Sequence, residues 1–151
     1  MANVQTVVPF IARGTFQPDG GAIVCPFVGT VPAVFIGTGV MSHLGKTTFV
    51  VTWQTCTLNA QGQITATGVL NFAGANGDAV EGTFTQTFTL FSPVISRFDL
   101  APIVITGGTG RFAGATGSAR GNGSIDEAAL QGVFEISGTL TPPGIALHSS
   151  Q

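Results

Sequence analysis

Four charged side chains have spacings that allow acid–base chemistry or ion pairing. Asp78 and Glu81 lie close together near a predicted turn, and Arg97 and Asp99 share one face of a predicted strand, where they can pair. Two neighbouring carboxyl groups act as general acid and base when burial raises the pKa of one of them. The alternative is that these charges are solvated at the rim of the fold, as most Asp and Glu side chains are.

A polar amide on an apolar strand face is the second candidate. Gln86 lies between Phe84 and Phe88 in an alternating run. A buried amide needs a hydrogen-bond partner, so Gln86 either satisfies neighbouring backbone or orients a bound ligand. Trp53, the only tryptophan, also lies on an apolar face and is more often a core residue than a cofactor platform.

The histidines and cysteines indicate neither a catalytic triad nor a metal centre. His43 and His148 lack a Ser or Cys and a carboxylate at triad spacing, and no phosphate-binding glycine motif occurs. Cys25 and Cys56 without a histidine pair cannot form a four-ligand zinc site. They form either a disulfide, which closes a loop of about 30 residues and contributes roughly 3 kcal/mol, or two separately buried thiols. We predict no metal and no cofactor.

The composition favours one all-β domain. The 151 residues are 44% hydrophobic and 8% charged, with 22 glycines and 8 prolines. Seven acids and five scattered bases give no electrostatic footprint for nucleic acid. So few charges leave a sparse surface for a monomer, which favours a homo-oligomer.

The first residues show neither a signal peptide nor a membrane span. Met1–Gln5 lack a basic region followed by an apolar one, and no window approaches the roughly 18 apolar residues that a spanning helix needs. A Thr-, Gly- and Asn-rich composition with one lysine suits an exported bacterial protein whose signal has been removed, with Met1 added as a start.

Period-two alternation predicts several strands and turns. The pattern places even residues of 64–72 and 80–90 on apolar faces, and residues 75–78 form the hairpin turn between them. A further strand covers Phe49 to Trp53, and another runs from Leu130 to Leu140. Pro102 is expected at an edge or between strands because it cannot donate to a ladder.

About eight short strands at hairpin spacing suit a closed up-and-down barrel. We predict a barrel domain over residues 1–144 and a tail over residues 145–151. The stretch from Val24 to Ile36, interrupted by Pro26 and Pro32, is expected to form a loop over the barrel mouth.

The segment Ile105–Gly117, with the sequence ITGGTGRFAGATG, resembles the glycine-rich corner of the dirigent proteins and of the allene oxide cyclases. Both are small antiparallel barrels of the calycin type. Residues 39–47 and 75–78 are similar to segments of bacterial allene-oxide-cyclase-barrel-like proteins. Turn geometry explains the glycines of the corner, and Arg111 either packs its stem across the corner or reaches an acidic partner or ligand.

The resemblance implies a barrel that binds a small hydrophobic organic molecule and performs a cofactor-free cyclisation or isomerisation by holding its substrate in one conformation. Trp53, Phe84, Gln86 and Phe88 would line the ligand site, and Glu81 or Asp99 would assist at its mouth. Dimers or trimers are expected. The absence of tyrosine departs from the plant dirigent pattern and argues against lignan chemistry. The alternative is an exported, non-catalytic binding or structural barrel whose Thr-rich outer strands contact neighbouring barrels or a glycan.

Overall fold

A closed antiparallel barrel of eight strands forms the framework of the computed structural model, which describes residues 7–141. The strands in chain order are β1 (Val8–Pro18), β2 (Ile23–Cys25), β3 (Gly29–Val31), β4 (Val34–Met41), β5 (Gly45–Leu58), β6 (Ile64–Gly74), β7 (Ala79–Leu90), β8 (Ile95–Thr109), β9 (Thr116–Asp126) and β10 (Gln131–Thr141). The predicted all-β barrel is confirmed. Residues 1–6 and 142–151, which include His148 and the expected tail, lie outside the described residues.

The barrel is a meander closed by its first strand. Strands β4 to β10 pair consecutively, and β1 joins β10 on one side and β4 on the other. Closure of this kind leaves no strand of the barrel with an unpaired edge. The short strands β2 and β3 form a separate hairpin, inserted between β1 and β4.

Alternation along the strands separates a buried face from an outer one, as the sequence predicts. In β6 the even-numbered Ile64, Ala66, Leu70 and Phe72 are buried, and in β7 Val80 to Phe88 alternate in the same way. The two strands pair in register, with Gly68 opposite Phe84. The predicted hairpin and the alternation of its even-numbered apolar residues are therefore confirmed, and the structure shows that this face points inward.

Glycines make room for phenyl rings inside the barrel. A Cβ atom on Gly123 of β9 would lie 2.9 Å from Cε1 of Phe98, and one on Gly132 of β10 would lie 2.8 Å from Cε1 of Phe16. Large rings on one strand thus fill the space left by small residues on another, which is how a narrow barrel reaches dense packing.

The two ends of the barrel differ. The corner end carries the turn at residues 42–44, the turn at 75–78 and the glycine-rich corner, where a 3₁₀ turn spans Gly110–Phe112 between β8 and β9. The hairpin end carries the β2–β3 hairpin and the connections after β5, β7 and β9. The stretch from Val24 to Ile36 is thus not the predicted loop: it forms most of the β2–β3 hairpin at this end of the barrel and the start of β4.

The expectation for Pro102 is wrong. It lies inside β8, at a register irregularity between Leu100 and Ile103, and the barrel has no edge at that strand. A bulge tolerates proline because the local ladder hydrogen bonds are already interrupted there. Within residues 7–141, no helix has the length and apolar character to cross a bilayer.

Candidate functional site

An apolar cavity of about 60 Å³ lies inside the barrel. Seven of its lining side chains are phenyl rings and one is an indole, contributed by β1, β4, β5, β6, β7, β8 and β10. The lining residues are Phe16, Phe35, Gly37, Phe49, Val51, Trp53, Leu70, Phe72, Phe84, Gln86, Phe98, Leu100, Ile125, Phe134 and Ile136. Ligand pockets commonly reach about 300–1,000 Å³, so rings fill most of this interior.

Aromatic rings make up more than half of the lining residues, and the phenyl groups are those of Phe16, Phe35, Phe49, Phe72, Phe84, Phe98 and Phe134. Their mutual contacts are edge-to-face or tilted. Phe49 packs against Phe134 with centroids 4.8 Å apart and against Phe72 at 5.0 Å. Such pairs add to the stability gained from apolar burial and fix the shape of the cavity.

Gln86 and Trp53 form the polar pair of this wall. The indole Nε1–H of Trp53 donates to Oε1 of Gln86 over 3.1 Å, and both side chains are more than 90% buried. The bond satisfies the indole, which would otherwise be costly to bury. In this bond the amide oxygen of Gln86 accepts, so the two N–H donors of its NH₂ group are not used by it.

A second, smaller cavity of about 40 Å³ lies at the hairpin end. Its walls come from the hairpin and from the barrel rim, and it shares Phe35, Trp53 and Ile125 with the interior cavity. The two cavities are therefore neighbours separated by these side chains. Trp53 is in contact with both Phe35 and Phe88, at centroid distances of 5.6 Å and 6.1 Å.

The structure places the predicted ligand-binding residues in two groups. Trp53, Phe84 and Gln86 line the interior cavity, whereas Phe88 lines the second cavity. Their ligand role stays a prediction, since their positions show only that they share one continuous apolar region. Sequence reasoning missed Glu127, which also lines the second cavity; its position in the turn after β9 carries no motif that could have indicated this.

Glu81 and Asp99, the predicted catalytic residues, are not brought to either cavity. Glu81 lies on the outer face of β7 between the inward Val80 and Gly82, and Asp99 lies on the outer face of β8. Both side chains are exposed. Among the described residues, the interior cavity has no titratable side chain in its wall, so this wall supplies no general acid or base.

One ion pair fastens the corner end. Arg111 Nε donates to Oδ2 of Asp78 over 2.7 Å, and Arg111 Nη2 donates to the carbonyl oxygen of His43 over 2.8 Å. The hydrogen bond from the Arg111 side chain lowers the pKa of Asp78 below its ordinary value of 3.8. Residues 7–141 contain no other ion pair within 4.0 Å, so Arg97 and Asp99 do not form the expected one. The cluster ties three turns together.

Cys25 and Cys56 form a disulfide, with Cα atoms 5.1 Å apart. Of the two open alternatives, the disulfide is therefore the one that the structure shows. The part of the chain that the structure describes holds no group of three or more His, Cys, Asp or Glu side chains that could bind a metal ion.

No protein-family model matches the chain, and no curated protein matches it. Among solved structures it is similar to two pterocarpan synthase dirigent proteins, GePTS1 and PsPTS1, each at 17% sequence identity. The TM-score is 0.51 for GePTS1, over 91% of this chain and 86% of that one. It is 0.50 for PsPTS1, over 94% of this chain and 97% of that one. The chain is thus similar to the dirigent proteins in fold, as an eight-stranded antiparallel barrel.

Proposed function

We propose that the barrel binds a small, mainly apolar organic molecule in its interior cavity. The observation that supports this most directly is the lining, in which the amide of Gln86 is the single polar side chain other than the indole N–H of Trp53. An apolar wall with one or two placed polar groups is typical of small-molecule sites. The proposed ligand is a flat, ring-sized molecule carrying one oxygen.

The size of the cavity limits the ligand. A cavity of about 150 Å³ is enough for benzene, whereas this one measures about 60 Å³. Binding therefore requires lining rings to turn and widen the space. Phe84 and Phe98 line the cavity from the neighbouring strands β7 and β8. We expect these two rings to move when a ligand enters.

Gln86 would orient the ligand. Its oxygen is held by Trp53, and its NH₂ group can donate to a hydroxyl or carbonyl oxygen of a molecule in the cavity. A net hydrogen bond of about 0.5–1.5 kcal/mol would favour an oxygen-bearing ligand over a hydrocarbon of the same shape by roughly two- to twelvefold.

Phenol and toluene test this proposal, because they differ by one hydroxyl group against one methyl group. Affinities would be measured by thermal stabilisation at rising ligand concentration. We expect both ligands to bind the unaltered protein, and Gln86→Leu to weaken phenol selectively. Thr85→Leu, which places the same side chain one residue away on the outer face of β7, is the matched control. Equal phenol affinity in Gln86→Leu and the unaltered protein would remove Gln86 from the site, and no binding of either ligand would refute interior binding.

A templated reaction is the second candidate. The fold likeness to pterocarpan synthase dirigent proteins favours a barrel that guides cyclisation or isomerisation of a hydrophobic substrate. With no acid or base in the described wall of the interior cavity, the protein's contribution would be restriction of conformation, and the substrate would have to be reactive already. Glu81 and Asp99 would act in this scheme only on a substrate reaching the outer surface. A non-catalytic barrel, by contrast, would leave the product ratios of a reactive substrate the same with and without the protein.

A homo-oligomer belongs to the same proposal. The outer faces of β4 to β6 carry one charged side chain, Lys46, between rows of Thr and Val. Exposed Val40 and Val69 lie on these faces. A surface so poor in charge suits contact with a second copy, and light scattering after gel filtration would give the mass directly.

A further inference from the structure

The β2–β3 hairpin is the one part of the described strands that does not belong to the barrel sheet. Its two strands pair only with each other, from Ile23 opposite Val31 to Cys25 opposite Gly29. At its tip Phe27 is 82% exposed, and Val24 on β2 is 69% exposed. The hairpin therefore has few buried contacts of its own, and local opening needs least free energy in such elements.

The hairpin is anchored at its base. The backbone N–H groups of Ala33 and Val34 both donate to the carbonyl oxygen of Gly20, over 3.2 Å and 3.0 Å. The backbone N–H of Trp53 donates to the carbonyl oxygen of Ala33 over 2.8 Å. Gly20 and Gly21, with φ of 107° and 71°, are positions where the chain enters the hairpin through backbone conformations natural to glycine. Movement of the hairpin about this base leaves the barrel ladder intact.

Beyond the base, a covalent bond holds the hairpin against the barrel. The disulfide joins Cys25, at the end of β2, to Cys56 of β5. Cys25 is the buried residue of β2, and Val28 and Val31 of the hairpin line the second cavity. The disulfide thus fixes the distance between hairpin and rim.

The hairpin covers the side from which the interior can be reached. Val28 and Val31 of the hairpin line the second cavity, which shares Phe35, Trp53 and Ile125 with the interior cavity. The corner end is closed by fully buried Phe112 and by neighbouring packed side chains. The shortest route into the barrel therefore passes under the hairpin.

We propose that the β2–β3 hairpin is a lid over the route to the interior cavity and that the Cys25–Cys56 disulfide is its latch. A dithiol reductant opens the latch: the Sγ–Sγ bond breaks, the two cysteines each gain a hydrogen atom, and the reductant becomes a disulfide. The hairpin then turns about its base and exposes Trp53. The ligand part of this proposal rests on the proposed function, whereas the movement of the lid does not.

Trp53 provides a measurement of the lid that needs no ligand. It is the single tryptophan of the chain and lies beneath the hairpin, 8% exposed. Acrylamide quenching of its fluorescence would be compared in the oxidised protein, the protein reduced with dithiothreitol, and Cys25→Ser/Cys56→Ser. We expect the quenching constant to rise about threefold or more in both open forms, and to return on reoxidation. Equal quenching in all three would overturn the lid.

A control at the other end separates opening from general loosening. Asp78→Ala removes the ion pair of the corner end and leaves the hairpin untouched. We expect it to lower the melting temperature without raising quenching. If Asp78→Ala raises quenching as much as loss of the disulfide does, loosening explains the result and the lid is wrong. Circular dichroism would establish that each variant is folded.

Toluene kinetics then test the route. If the lid controls access, toluene associates and dissociates faster after reduction, with little change in affinity. Unchanged rates in a reduced protein that binds toluene would overturn the lid as the route. If toluene binds neither form while quenching still rises, interior binding fails and the lid itself is supported.

Discussion

Gly123→Ala tests whether the phenyl rings and the glycines inside the barrel are matched in size. The new Cβ would lie 2.9 Å from Cε1 of Phe98, closer still to its Cζ, and against the backbone carbonyl oxygen of Val133. Carbon atoms normally meet at about 3.5–4.0 Å, so the Phe98 ring has to shift toward the cavity.

The expected cost is that of overpacking a dense core, about 1–3 kcal/mol. With an unfolding entropy of about 2.1 cal/mol/K per residue, a chain of 151 residues loses roughly 3–10 °C of melting temperature. Thermal unfolding followed by circular dichroism measures this. Ser124→Ala, one residue further along β9, is the matched control and should remain close to the unaltered protein.

A second substitution, at Phe98, tests whether the loss of stability in Gly123→Ala comes from contact with this ring. Phe98→Leu removes the ring edge that the new methyl group meets, so the double variant should be less destabilised than the sum of the two single variants. A melting temperature for Gly123→Ala within 1 °C or so of the unaltered protein, or strict additivity in the cycle, would refute the size-matching argument.

Three further predictions concern the disulfide, the corner end and the cavity. Replacing Cys25 and Cys56 by serine should cost about 3–4 kcal/mol, because a loop with a sequence separation of 31 residues is freed in the unfolded chain, and thermal unfolding would show it. The pKa of Asp78 is lowered in the folded protein, so its ionised form stabilises the protein above the ordinary pKa of 3.8, and this contribution is lost as the pH falls through the folded pKa. Asp78→Asn should therefore lack this part of the acid dependence when the free energy of unfolding is measured between about pH 2 and 6. Phe84→Ala should destabilise by about 3–5 kcal/mol and strengthen toluene binding by enlarging the cavity, and weaker toluene binding in a folded variant would count against an interior site.

The alternation of apolar and polar residues was enough to predict the class of fold and which residues of β6 and β7 share an apolar face. The alternation did not predict β9, because several inward positions of that strand are small residues: Gly117, Ala119, Gly121 and Gly123. Small residues that accommodate rings from other strands leave no hydrophobic period to detect. Strand β9 is therefore recognised only from its pairing with β8 and β10 in the structure.

For the candidate site, the sequence likewise predicted which residues share a strand face but not which side chains meet across the barrel. Period two places Gln86 and Glu81 on opposite faces of the same strand, so a catalytic Glu81 was already at odds with a ligand beside Gln86. The bond between Gln86 and Trp53 joins residues 33 apart in sequence, across strands that are not neighbours. Only the curvature of the closed barrel brings them together, and no local pattern encodes that distance.

Closure by β1 also determines when the fold can be completed. Val8 pairs with Leu140, so the seam between β1 and β10 joins positions separated by most of the chain. A nascent chain that has not yet produced β10 exposes two free sheet edges, one on β1 and one on β9, and each can pair with another molecule. Non-local pairing of this kind slows folding. The seam is therefore where we expect synthesis and aggregation to compete.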